Sequence, residues 1–362
     1  PGANHLEIVN LLAKLPKTEF AFYYNHIVRK GSERRLIVAV DDLKVFHKEN
    51  IKINKAHYPY TGRMFKEKFI SFFSKYGART HFNTFQLENK KPIKYGVIKK
   101  EDLLSDLMSW ETLLCSSFMM RPIEKLQEDE EINTAQNNNL RSATALAAIL
   151  TKTGSSEIDF YKHIVTIPHY ISIGWFQLLE REDSERVVNE NIEMFRKIYQ
   201  PVIKNFDRSF KIENGVFTKE QNTGVTRFLL SNINDNLHQN LYSLSPLKYD
   251  PAKRFHKNHL SQEEVYDLID DKVIELPEED LNKKIHRSLD KILLSHRNSK
   301  IFLILMSGPF LIGFYAFKYA IKILVFYFLL RKKKSPSNKD DKNKSTKNED
   351  IKKSGGNQES IA

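Results

Sequence analysis

Cysteine is almost absent: Cys115 stands alone among 362 residues, so no disulfide can form within the chain and a reducing compartment is expected. Asn-x-Ser/Thr acceptors are as scarce. The single one, Asn343-Lys344-Ser345, lies near the C-terminus, and residues 1–300 hold none despite many asparagines, which suits a body that never enters the secretory lumen. The start, Pro-Gly-Ala, has neither Met nor an apolar signal region. Met removal before Pro1, trimming, cleavage of an import peptide and release from a polyprotein each account for it. A focused basic face is also missing. The net charge is +12, but only residues 331–362 concentrate it, with ten Lys/Arg against five Asp/Glu. Nucleic acid is therefore not indicated as a partner, and an anionic membrane surface accounts for charge placed around a hydrophobic segment.

The familiar catalytic signatures are absent. A P-loop needs Gly followed by a spacer and Gly-Lys-Ser/Thr. The nearest stretch, Thr151-Lys152-Thr153-Gly154-Ser155-Ser156, has its lysine on the wrong side of Gly154 and reads as a helix stop. No His-Glu-x-x-His occurs, and one cysteine excludes a Cys-based zinc site. His256 and His259 sit among cations, and His163 and His169 flank a break at Pro168, so solvent-facing or structural histidines are the plainer reading. No Gly-x-Ser-x-Gly elbow exists. Cys115 lies mid-helix in LLCSSF and reads as a small buried hydrophobe. The pairs Asp41-Asp42 and Asp270-Asp271 read as caps or solvent-facing groups, because adjacent helical residues diverge by about 100°. No catalytic residue, metal ligand or cofactor is expected from these patterns.

What is present is a large folded body. Aromatics abound, with 24 Phe and 15 Tyr, enough for a real core over residues 1–300. The fold class expected is α+β: a mainly α-helical body with a small N-terminal β-hairpin, followed by a C-terminal membrane segment and a disordered tail. Residues 1–126 read as an α+β region. A helix at 4–14 precedes two strands, Glu19–Val28 and Arg35–Val40, around a polar turn. Asp41 opens a short helix, GRMFKEKFISFFSKYG aligns Phe65, Phe69, Phe72 and Tyr76 on one helical face, and a further helix runs from Glu101 to Met120. The polar stretch Gln127–Asn139 reads as a linker.

Residues 140–298 read as a helical region. A small-residue helix ends at Gly154, and helices at 157–166 and 169–181 part at Pro168. Val188, Ile192, Phe195, Tyr199, Val202 and Phe206 then form a stripe that buries one face, with a kink or end predicted at Pro201. Asn214-Gly215 marks a hairpin, and the following GVTRFLLSNINDNLHQNLYSL reads as one helix. Residues 245–260 form a basic connection, Ser261–Glu264 a capping box, and a helix from Pro277 places Leu281, Ile285, Leu289, Ile292 and Leu293 on one side.

That helix leads into the longest apolar run, residues 300–330, followed by a basic tail, 331–362. Thirty residues from Ile301 to Leu330 would make a helix of roughly 45 Å, against a bilayer core of about 30 Å. A straight span would also bury Lys318 and Lys322, each costing about 2.5–3.5 kcal/mol at mid-membrane. Two arrangements avoid this. Ile301–Phe317 spans and Lys318 snorkels, or the segment turns near Gly308-Pro309 or Gly313 and returns to the same side. Arg297 and Lys300 before it, and Arg331, Lys332, Lys333 and Lys334 after it, support the returning arrangement, since charge on both flanks picks no inside as a single span should. Lys318 and Lys322 share a helical face, suited to an interface or to an oligomer.

This lysine-bearing segment and the Pro1 start resemble the membrane-active non-structural proteins, or viroporins, of picorna-like viruses. The resemblance implies a viral polyprotein product that anchors or remodels host membranes for genome replication, with Lys318 and Lys322 at the membrane-active face. The overall expectation is a non-enzymatic scaffold that tethers a folded body to an intracellular membrane, the body on the cytosolic side. Its partners would be an anionic lipid membrane and proteins the sequence does not identify. Alternatives are a cellular organelle adaptor, for instance mitochondrial, and an anchored enzyme of unfamiliar type.

Overall fold

The computed structural model describes residues 3–28, 31–58, 67, 70, 74, 79–85, 92–167, 183–220, 222–243, 273–274 and 276–306. The chain divides into two compact units, Pro1–Gly308 and Pro309–Ala362, and the whole of the second lies outside the described residues. So do the aromatic stripe Phe65 to Tyr76, the helix expected at 169–181, the connection at 245–260 and the capping box after it. Among the described residues no helix is long and apolar enough to cross a membrane.

The N-terminal hairpin belongs to a larger sheet. Strands β1 (Phe20–Val28), β2 (Gly31–Val40), β3 (Thr80–Phe85), β4 (Ile93–Lys99) and β5 (Glu124–Gln127) lie in the order β3-β4-β2-β1-β5. All pairs are antiparallel except β2 with β4. Alternation along β1 sends Phe20, Phe22 and Tyr24 to one face and Ala21 to the other, so the sheet buries both faces. On one face Ile8 and Leu11 of helix α1 (Ala3–Ala13) and Phe46 of α2 (Leu43–Ile53) pack on Leu36, Val38, Tyr95 and Val97. Asp42 starts α2 by accepting from Lys44 N and Val45 N, the capping role expected of an Asp here.

On the other face lie α3 (Lys100–Ser109), the short α4 (Cys115–Met119) and the start of α5 (Glu130–Leu150). The single helix expected from Glu101 to Met120 is broken. Trp110 and Leu113 adopt positive φ, and the buried Asp106 carboxylate collects the Thr112, Leu113 and Ser116 N–H groups at 2.7–2.9 Å, with the Thr112 hydroxyl at 2.9 Å. A carboxylate offering that many acceptor sites replaces the helical bonds lost at the break.

The stretch expected as a polar linker is the first half of α5. Asp129 caps it, donated to by Ile132 N at 3.0 Å. Its inward residues Ile132, Ala135, Gln136 and Asn139 keep helical spacing. Gln136 donates to Met119 O, and Asn139 accepts from Trp110 Nε1 at 2.8 Å while donating to Ser116 O at 2.9 Å. Polar side chains are stable inside when so paired.

Around the second half of α5 a helical layer assembles: α6 (Glu157–Thr166), α7 (Ser184–Ile203), α8 (Thr223–Leu230), α9 (Asp235–Ser243) and α10 (Glu278–Met306). The stripe faces inward as its spacing predicts, with Val188, Phe195, Tyr199 and, just past α7, Phe206 buried and Ile192 and Val202 partly so, but the helix passes through Pro201 and its backbone departs from helical geometry at Asn191 instead. The helix expected after the hairpin is split into α8 and α9. Strands β6 (Phe210–Glu213) and β7 (Val216–Lys219) form the hairpin expected at Asn214-Gly215, both turn residues having positive φ. Lys219 Nζ folds back to cap α5, donating to Ala148 O, Ile149 O and Thr151 O at 3.0–3.2 Å.

Candidate functional site

The densest set of perturbed titratable groups lies between α2 and the sheet. Along α2, Phe46, His47 and Asn50 face inward. A 3₁₀ turn, Lys55–His57, delivers His57 and Tyr58; β3 supplies His81 and Asn83, two apart and hence on one face; β4 supplies Tyr95. Asn50 Nδ2 donates to Tyr58 OH at 2.8 Å and to Tyr95 OH at 2.9 Å. Its Oδ1 accepts from Asn54 Nδ2, which also donates to Lys14 O. Each tyrosine hydroxyl therefore has its own proton left to give. His47 Nδ1 lies 2.8 Å from Tyr58 OH and His57 Nδ1 2.9 Å from Tyr95 OH, each pair joined by a hydrogen bond.

Burial dominates the electrostatics here. It holds His47 well below the usual histidine range, pushes His81 down to about 4, and lowers His57, which Lys14 lowers further. The same burial raises the Tyr58 and Tyr95 hydroxyls. At neutral pH the set is uncharged. It fastens α2 to the sheet and offers no exposed acid or base.

The opposite face of the sheet ends in charge. In the β1–β2 register Tyr24 stands across from Arg35, and Arg35 lies beside Lys94 on β4. Phe118 stacks on Tyr24 with centroids 4.8 Å apart, and the Arg121 guanidinium lies 5.6 Å from the same ring. Arg35 is 6% exposed and Arg121 4%, unusual for arginines. One guanidinium against the ring and a second arginine on the neighbouring strand make a cationic pole, and a planar donor fork fits phosphate oxygens better than an ammonium does.

Other sequence candidates resolve quietly. Gly154 has φ +87°, and its N–H donates to Phe217 O at 2.8 Å, so the Thr151–Ser156 stretch is a helix stop braced by the hairpin. Cys115 is buried, its thiol pushed up by burial and by Asp106. His163 is held at about 4, chiefly by burial; His169, His256 and His259 lie outside the described residues. The expected membrane-active residues Gly308, Pro309, Lys318, Lys322, Arg331, Lys332, Lys333 and Lys334 also lie outside them. The His–Tyr–Asn set and the Arg35–Arg121 pole carry no sequence signature of the kinds searched for. Their one signal is polar residues at core-facing phases of α2, β2, β3 and β4.

Against known proteins, residues 10–322 match the Tam41/Mmp37 family profile, described as phosphatidate cytidylyltransferase, mitochondrial. Proteins of that name match individually. The Saccharomyces cerevisiae protein is 30% identical over 205 residues, covering 55% of this chain and 52% of its own length. The Xenopus laevis protein is 30% identical over 172 residues (46% and 50%), and the human one 28% over 181 (49% and 39%). The chain thus spans about half the length, or less, of these curated relatives.

These matches correct the viral resemblance. That resemblance used about thirty residues and Pro1, generic features, whereas the profile runs through the body. A viral polyprotein product, host-membrane remodelling and a non-enzymatic scaffold all give way to a cellular enzyme family. The two alternatives, an organelle protein such as a mitochondrial one and an anchored enzyme, come closer. The transmembrane-helix expectation is corrected likewise, since it belonged to that anchor reading, and no described helix supports it.

Proposed function

Because this chain belongs to the mitochondrial phosphatidate cytidylyltransferase family, we propose that it transfers a cytidylyl group from cytidine triphosphate to phosphatidate. An oxygen of the phosphatidate phosphate attacks the α-phosphorus of the triphosphate. A new P–O bond forms, the α–β bridge breaks, and its electron pair leaves with pyrophosphate; the product is CDP-diacylglycerol. The observation that carries this reading is the match over residues 10–322, which includes the sheet, the cationic pole and the helical layer together.

In this reading Arg35 and Arg121 receive phosphate oxygens, since fixed guanidiniums stabilise charge that builds on a transferring phosphoryl group. Phosphoryl-type transfers commonly employ magnesium held by carboxylates and substrate phosphates. Among the described residues no group of three or more His, Cys, Asp or Glu is placed to hold an ion, and the pole beside Tyr24 is cationic. Among the described residues the pole itself offers a metal no carboxylate cluster, and no step is routed through one. The lipid partner expected from the sequence suits this reading, and the expected intracellular membrane becomes a mitochondrial one.

The test is direct. The purified chain, incubated with phosphatidate in mixed micelles, magnesium and cytidine triphosphate, is expected to yield CDP-diacylglycerol and equimolar pyrophosphate. Folded protein that forms neither product overturns the proposal. Arg121→Lys, which keeps charge but loses the fork, is expected to lower the rate roughly tenfold or more.

A further inference from the structure

Eight large hydrophobic side chains are exposed among the described residues, and four of them, Leu6, Val9, Val45 and Ile53, lie on α1 and α2. Leu6 is 61% exposed, Val45 54% and Ile53 65%. Single exposed apolar residues scattered over a surface need no explanation, but grouping does. These two helices share one layer: Ile8, Leu11 and Phe46 pack on the same sheet face, and Asn54 Nδ2 joins the end of α2 to Lys14 O at 2.8 Å.

The outer side of α2 is mainly cationic. Lys44, Lys48 and Lys52 recur every four residues, all exposed, against Glu49 within the helix and Asp41 and Asp42 exposed at its start. Lys14, Lys17 and Lys55 are exposed near the helix ends, with Lys17 paired to Glu19. Val45 and Lys48, three apart, are neighbours on that side, and Ile53 ends the helix. Exposed apolar tips among lysines are the composition of a helix lying in a headgroup layer: the tips enter the acyl boundary while the ammonium groups meet lipid phosphates.

We propose that the outer face of α2 is a docking surface for an anionic phospholipid bilayer. The choice of a bilayer rests on the transferase reading, since phosphatidate is a bilayer lipid with an anionic headgroup. The surface itself rests on the lysine spacing and the exposed apolar residues. Docking there holds the body of the protein at a bilayer surface through residues distinct from the cationic pole, which lies on the opposite face of the sheet.

Position-specific probes on the full chain test this. Ile53→Cys carries a fluorophore, with Cys115 buried and unreactive, and Met194→Cys serves as the reference site. Phosphatidylcholine vesicles containing phosphatidate are expected to shield the probe at 53 from iodide, pure phosphatidylcholine vesicles far less, and the probe at 194 is expected to stay quenchable. The triple variant K44E/K48E/K52E should lose shielding about tenfold or more. A probe at 53 that stays quenchable on vesicle-bound protein overturns the proposal. So does equal shielding at both sites, which is general adsorption, or shielding without vesicles, which is self-association. The transferase reading fails separately. Protein that shields position 53 but forms no CDP-diacylglycerol from detergent-dispersed phosphatidate loses the activity and keeps the surface. Protein active on dispersed substrate with position 53 exposed does the reverse.

Discussion

At the residue scale, two positions in the sheet show how little room and how little charge it tolerates. Gly96 lies inside β4, where a Cβ would fall 2.8 Å from Ile37 Cδ1 and 2.9 Å from Thr80 Cγ2. Those atoms belong to a packed interior, so Gly96→Ala is expected to destabilise by about 1–3 kcal/mol, read as a lower denaturation midpoint with an unchanged slope. An unchanged midpoint would mean that the sheet relaxes freely there. Across the layer, His81 is held at about 4 by burial and His47 well below its usual range, while an unfolded histidine titrates near about 6.5. As pH falls below 6.5 the unfolded chain takes up protons that the folded one refuses, so stability falls with pH. The loss runs down to about 4 and amounts to about 1.4 kcal/mol per histidine per pH unit. His163 and His286, also lowered, add to it. Melting temperatures should therefore be nearly level from pH 7.5 to about 6.5 and fall steadily from there to pH 5, and His81→Gln should flatten the falling part. An equal slope in that variant would show that His81 is not neutral in the folded state.

At the element scale, legibility followed whether a local pattern agreed with burial. The α7 stripe was readable because Val188, Phe195, Tyr199 and Phe206 are both apolar and inward. The Asn214-Gly215 hairpin was readable because its two positive φ angles demand those residue types. Strands β3 and β4 were not, because His81, Asn83 and Tyr95 occupy inward phases where alternation expects apolar residues. The start of α5 failed for the same reason at Gln136 and Asn139, whose partners Met119 O, Trp110 and Ser116 O come from elsewhere in the chain. Arg35 was seen only as the first residue of a strand, since nothing local marks an inward arginine. A non-local partner also secures the far end of α5. Lys219 Nζ closes three of its last carbonyls, although burial lowers the amine's proton affinity. Lys219→Met keeps the aliphatic stem and removes those bonds. It is expected to cost about 1–2 kcal/mol, with faster amide exchange of the carbonyl-bonded amine's neighbours in β7. A melting temperature equal to the parent's would reduce the lysine to a surface residue.

At the scale of the whole molecule, α5 decides whether the sheet and the helical layer are separable. Ile132 and Ala135 near its start belong to the core beneath the sheet, while Leu140, Ala143, Leu146 and Leu150 belong to the helical core. One continuous helix thus has its first turns in one core and its last in the other. A flexible linker at 127–139 would let each half open alone. A helix cannot lose one end's packing without exposing apolar area at the other, unless it frays across the middle, where Asn139 is pinned by Trp110 and Ser116. Residues 1–308 are therefore expected to unfold as one unit. In native-state hydrogen exchange, the amides of Ile37 and Val38 in β2 and of Leu146 and Ala147 in α5 should share a single opening free energy and a single denaturant slope. Asn139→Ala, which removes the pin, should bring the two sets apart, with the helical half opening first. Two opening energies already present in the parent protein would restore a boundary near residue 130, and the sheet could then be tested alone for phosphate binding at Arg35 and Arg121.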